Sequence, residues 1–111
     1  MENSVLGAEM NRKRAEECHT LADVREQIDR IDRAVVAAIG ERRQFVLAAA
    51  AFKPSVTAVA APDRVASMIQ DRRRWAEEES LDPDMIEELF RNLVTRFVAQ
   101  EREHWTKTKS S

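Results

Sequence analysis

"LADVREQIDRIDRAVVAAIGERRQFVLAAAAFKP", residues 21–54, decides the fold. Its apolar residues step by three and four: Leu21, Val24, Ile28, Ile31, Val35 and Ala38, then Arg42, then Phe45, Ala49 and Phe52. That spacing returns each residue to one side of an α-helix and forms the seam of a heptad repeat. Thr20 opens the run with a capping-box-like signal, because Asp23 follows three residues on. Gly40 is tolerable inside it, at about 1 kcal/mol relative to alanine. Pro54 stops it, since a residue before proline is pushed out of the α region. The first helix is therefore predicted over residues 21–53, roughly 50 Å long at 1.5 Å per residue. The rest of a 111-residue chain cannot cover a helix of that length. An intertwined oligomer, most simply a homodimer, is the economical arrangement.

The remaining chain yields two more helices. "PSVTAVAA", residues 54–61, reads as a small-residue loop. Pro62 suits the first turn of a second helix over residues 62–79, whose apolar positions are Val65, Met68, Ile69, Trp75 and Ala76. "SLDPD" ends that helix and starts the third: Asp82 caps, Pro83 takes the first turn and Asp84 favours the positive helix end. The third helix carries Ile86, Leu89, Phe90, Leu93, Val94, Phe97, then Glu101, then Trp105. "TKTKSS" reads as a fraying tail. Residues 1–19 are polar and aperiodic, which predicts a flexible N-terminal tail ahead of a helical domain over residues 20–107. The fold class is all-α, three helices with a very long first helix.

Composition excludes several functions. At 43% hydrophobic and 34% charged the chain can build a core and still cover itself with charge. Two glycines, three prolines and no tyrosine argue against a β sandwich with many tight turns. A net charge of −2 points away from a nucleic-acid partner, and the basic cluster in "DRRRWAEEE" is hemmed by acids, as on a solvated helix face. Cys18 is the only cysteine, so neither an intrachain disulfide nor a cysteine-based metal site is expected. His19 and His104 lack metal-ligand spacing. The start of the chain shows no apolar signal-peptide core, and "FVLAAAAF" is too short to span a bilayer, so no membrane association is expected and the cytoplasm is the default location.

Two cations interrupt the greasy face of the first helix. Arg42 lies on its seam, and Lys53, eleven residues later, shares that face at about 100° per residue. Arg25 falls about 100° round from Arg42. Glu101 repeats the pattern on the third helix, between Phe97 and Trp105, and Arg64 opens the second. A buried unpaired cation is costly. One reading is structural: Arg42 pairs with Glu101, snorkels outward, or sets the register of the seam. The other is a cavity that binds a small carboxylate-bearing anion, held by arginine forks and a mobile lysine charge.

"LADVREQIDRIDRAVVAAIGERRQFVLAAAAFK", followed by "APDRVASMIQDRRRWAEEESLD" and "LFRNLV", resembles the all-helical chorismate mutase family, nearest its bacterial isochorismate pyruvate lyase branch, which makes salicylate in siderophore pathways. The likeness covers about residues 20–105. It implies an intertwined homodimer of three-helix chains with shared active sites. Residue by residue, it implies that Arg25 reaches the partner's site, that Arg42 and Arg64 hold substrate carboxylates, and that Lys53 touches carboxylate and ether oxygen. Glu101 falls where most members carry glutamine and some carry glutamate. Where familiar mutases have a glutamate for the ring hydroxyl, this chain has Val65, as the lyase branch lacks that glutamate too.

The resemblance implies a pericyclic reaction on a small dicarboxylate. Isochorismate would lose pyruvate to leave salicylate, and chorismate would rearrange to prephenate as a side activity; neither needs a metal or cofactor. Lys53 and a protonated Glu101 would stabilise charge growing on the ether oxygen. The 53–61 segment would serve as a lid or as a plain linker. A mutase acting on chorismate or its 4-amino-4-deoxy relative, and a non-catalytic helical dimerisation module, are the competing expectations.

Overall fold

The computed structural model describes residues 13–110. Most of the expected tail, residues 1–12, lies outside the described residues. Among those described the protein is all-α, with α1 at Leu21–Ala49, α2 at Pro62–Glu78 and α3 at Pro83–Ser110. Short 3-10 turns occupy Ala15–Glu17, Ala50–Phe52 and Thr57–Ala60. The chain divides into two units, residues 1–42 and 43–111.

In the first unit the start of α1 is capped as its sequence predicts. The Thr20 hydroxyl accepts a hydrogen bond from the Asp23 backbone N–H at 3.0 Å. The Asp23 carboxylate reaches back and accepts one from the His19 N–H, also at 3.0 Å. These bonds satisfy backbone donors that a helix start leaves open. The His19 bond is also the main reason the Asp23 carboxyl sits below its ordinary value. Gln27, buried on the next turn, accepts from the Lys13 N–H at 3.0 Å and from Arg30 Nε at 2.9 Å, so it ties the preceding segment to α1. The seam residues Leu21, Val24, Ile28, Ile31 and Val35 are 41–62% exposed within one chain.

In the second unit α1 ends earlier than its sequence suggests. The α-helix stops at Ala49, tightens into the Ala50–Phe52 turn, and Lys53 is extended at φ −100°, ψ 135°. The proline that follows forces Lys53 out of the α region, and the last turn takes the tighter winding common at helix ends. The 100° rotation per residue therefore fails to carry from Arg42 to Lys53. The 54–61 segment is more ordered than a plain loop: Thr57–Ala60 forms a 3-10 turn whose Val59 is 1% exposed.

Ala61 leads into α2 in the left-handed region, at φ 41° and ψ 61°, directly before Pro62. Such a conformation is costly for a residue with a Cβ and disfavoured before proline. α2 ends in a Schellman arrangement: Ser80 takes φ 60°, its N–H donates to Glu77 O at 3.1 Å, and the Leu81 N–H donates to Ala76 O at 2.8 Å. Asp82 then caps α3 by accepting from the Asp84 N–H at 2.9 Å. The core of this unit consists of Ala50, Val59, Met68, Ile69, Ala76 and Phe97.

Charged side chains lock α2 to α3. Arg73 Nη1 lies 2.9 Å from Asp84 and 2.8 Å from Glu87, and Arg91 Nε holds the other Glu87 oxygen at 2.7 Å. The two arginines, Arg91 foremost, hold the Glu87 carboxyl below its ordinary value. The Arg72 guanidinium stacks 4.7 Å from the Trp75 ring and 5.5 Å from Phe90. Arg74 pairs with Asp71 at 3.2 Å. Each arginine of "DRRRW" is thus engaged within the chain.

The expected fraying at "TKTKSS" is replaced by helix through Ser110. Thr106 and Thr108 donate to the carbonyls of Arg102 and His104, and Lys107 pairs with Glu103 at 3.0 Å. Lys107 and Lys109 also complement the negative helix end.

Candidate active site

Lys53 and Glu101 come together in the second unit. Lys53 Nζ lies 2.7 Å from Glu101 Oε2, and the side chains are 23% and 4% exposed. Their elements explain the placement. Lys53 closes the 3-10 turn after α1, where Ala50 packs away from water. Glu101 follows Phe97 by one helical turn on the inward face of α3, so the apolar stripe of α3 carries it into the interior.

The ammonium has a second acceptor, the Val59 carbonyl at 3.1 Å. The backbone of Lys53 is held as well: Trp105 Nε1 donates to its carbonyl at 3.0 Å. Nearby on α3, Gln100 Oε1 accepts from Arg43 Nε at 2.7 Å. One stretch of α3 therefore holds Arg43 of α1 and Lys53 beyond its end, through Gln100, Glu101 and Trp105. The sequence signalled the position of Glu101 but not its companions. The Val59 carbonyl is a backbone group with no side-chain signature. Trp105 was readable only as an apolar flank, although a sheltered indole N–H generally needs an acceptor.

Arg64 is exposed in the first turn of α2 and makes no ion pair with the described residues. Arg25 is exposed on α1, and Arg42 is half-buried on the same helix; both belong to the first unit. Val65 lines an open groove of about 410 Å³ with Ala60, Pro62, Val94, Val98 and Arg102. Its walls are mostly apolar, so the position next to Arg64 faces a greasy surface rather than a hydroxyl partner. Among the described residues no cluster of histidine, cysteine, aspartate and glutamate could hold a metal ion. No described helix is long and apolar enough to cross a membrane.

The pair sets a charge-assisted donor, the Lys53 ammonium, against a buried carboxylate that offsets its charge. Residues 24–102 match the family model for chorismate mutase type II, and the chain belongs to that family. Among its relatives, it is 44% identical over 99 residues to the isochorismate pyruvate lyase of Pseudomonas aeruginosa, covering 89% of this chain and 98% of the lyase. It is 30% identical over 89 residues to the T-protein of Enterobacter agglomerans and 30% identical over 92 residues to that of Haemophilus influenzae. These matches span 79% and 82% of this chain but only 24% of each T-protein.

Proposed function

We propose that this protein converts isochorismate to salicylate and pyruvate, with chorismate-to-prephenate rearrangement as a side activity. The observation that carries the reading is 44% identity to a lyase of nearly the same extent, aligned over 98% of it. Val65 supports it, because it offers no hydrogen bond to a ring hydroxyl at the position where familiar mutases carry a glutamate. Chorismate mutase proper is the second reading, favoured by the family model and by the similarity to the T-proteins. The reading includes cytoplasmic location and a role in salicylate-dependent secondary metabolism such as siderophore assembly.

In this reading the protein is an intertwined homodimer with shared sites. Arg42 and Arg64 of one protomer and Arg25 of its partner hold the two substrate carboxylates. That fixes the enolpyruvyl chain over the ring in a reactive conformer. As the C–O bond breaks, with a ring hydrogen passing to the enolpyruvyl methylene carbon in the lyase reaction, negative charge grows on the ether oxygen. Lys53 stabilises it from one side, and Glu101, carrying a proton, donates from the other. The substrate carboxylate takes over as anionic partner of Lys53, and Glu101, freed from the ion pair of the empty site, takes up a proton from solvent before the substrate is sealed in. The 53–61 turn closes the site against water, anchored by the Lys53 to Val59 bond.

The test is direct. Purified protein is incubated separately with isochorismate and with chorismate, and salicylate and prephenate are followed. Salicylate forming faster than prephenate is the expected result. Prephenate without salicylate would establish the mutase reading instead, and neither product above background would sink both. The donor role of Glu101 has its own readout: Glu101→Gln, which keeps a neutral donor at that position, should retain turnover, and Glu101→Ala should lose it. An inactive Glu101→Gln variant overturns that role.

A further inference from the structure

We propose that Trp105 is a positioning residue for Lys53, acting through the Lys53 backbone; the inference rests on the catalytic reading of Lys53 above. Lys53 occupies an awkward point in the chain. The Ala50–Phe52 turn has just ended, Lys53 itself is extended, and Pro54 follows with no N–H of its own. The Lys53 carbonyl thus sits outside any helical ladder, at a junction where ψ of Lys53 sets the direction in which the chain leaves. The Trp105 indole N–H supplies the missing donor at 3.0 Å across 52 residues of sequence.

Trp105 stands one turn beyond Glu101 on the same face of α3. That single turn therefore holds both ends of one lysine. Trp105 fixes the peptide plane at its root, and Glu101 holds the ammonium at its tip with the Val59 carbonyl beside it. A lysine has four side-chain torsions, and its charge is well placed only if the root is fixed. When substrate draws the ammonium away from Glu101, the tip is released and the Trp105 bond remains. The indole is half-buried and the bond is partly sheltered, so water competes poorly for it. The aromatic ring alone would fill the same space, so the inference is specifically about the N–H.

The experiment separates the N–H from the ring. Trp105→Phe keeps an aromatic ring without a donor. A second variant replaces Trp105 with 3-benzothienylalanine, which keeps the indole shape and puts sulfur where the N–H was. Turnover of isochorismate and of chorismate is measured per folded protein, beside thermal unfolding. We expect both variants to stay folded, with kcat lowered about tenfold and KM changed less than twofold, the pattern of a misplaced catalytic group. A benzothienyl variant with wild-type kcat overturns the inference, as does a loss of activity that only follows the loss of folded protein. If wild type turns over neither substrate, the functional reading itself has failed, and this result is distinct from an active wild type matched by its variants.

Discussion

Glu101 is 3% exposed, and Lys53 is the cation at its carboxylate. Removing one partner of a buried pair strands the other charge, at about 3–5 kcal/mol. Lys53→Ala should therefore lose turnover and also lower the melting temperature. The double variant Lys53→Ala/Glu101→Gln has no stranded charge and should recover most of the stability while staying inactive. Calorimetry and turnover of the two variants decide the matter. Recovered activity in the double variant would mean that Lys53 only neutralises Glu101. The same pair shows what the sequence hides at this scale. Glu101 on an apolar stripe was legible as an anomaly, because helical spacing put it between Phe97 and Trp105. Its partner followed only from the family resemblance, which put Lys53 and Glu101 at one oxygen; spacing offered Arg42 instead, because the direction of Lys53 depends on where α1 stops, and helix ends depend on packing of Ala50 as much as on Pro54.

At the scale of the element, starts were easier to read than ends. Thr20 with Asp23, Pro62, and Asp82 with Pro83 are local chemistry: the Thr20, Asp23 and Asp82 side chains accept from nearby N–H groups, Pro62 has no N–H to satisfy, and each does mark a helix start. The ends were set by less visible means: a left-handed Ser80 closing α2, and hydroxyl and ion-pair bonds carrying α3 to Ser110. The α1 cap has a measurable consequence. The Asp23 carboxyl is lowered from 3.8, first by the His19 N–H bond. A lowered carboxyl stabilises the fold fully above its unfolded value, and that stability is lost as pH falls through the folded value. Wild type should therefore melt above Asp23→Asn at neutral pH, with the gap narrowing as pH falls from about 4. A gap that stays constant down to acid pH would show that the charge of Asp23 contributes nothing.

For the whole molecule, the decisive fact is the open seam of α1. Leu21, Val24, Ile28, Ile31 and Val35 each leave 41–62% of their surface in water within one chain. Covering the remainder contributes on the order of 1 kcal/mol per side chain, hence roughly 10 kcal/mol over two copies, against an association cost of at least about 4. A partner copy is the simplest cover, and the proposed site needs one, since Arg25 is assigned to the other protomer. Ile31→Glu should convert a species of twice 12.7 kDa into one of 12.7 kDa by sedimentation, and turnover should go with it. Sharing of the site is tested by mixing. Arg25→Ala lacks the donated arginine, and Lys53→Ala/Glu101→Gln lacks the resident pair, so each alone should be inactive. In a mixed dimer one site loses all three groups, and the other draws Lys53 and Glu101 from the first chain and Arg25 from the second, so it is intact. Random reassembly makes half the dimers mixed, and each has one intact site of two, so co-refolding should restore about a quarter of wild-type turnover. If Arg25 instead served its own chain's site, every site in the mixture would stay defective and no turnover would return.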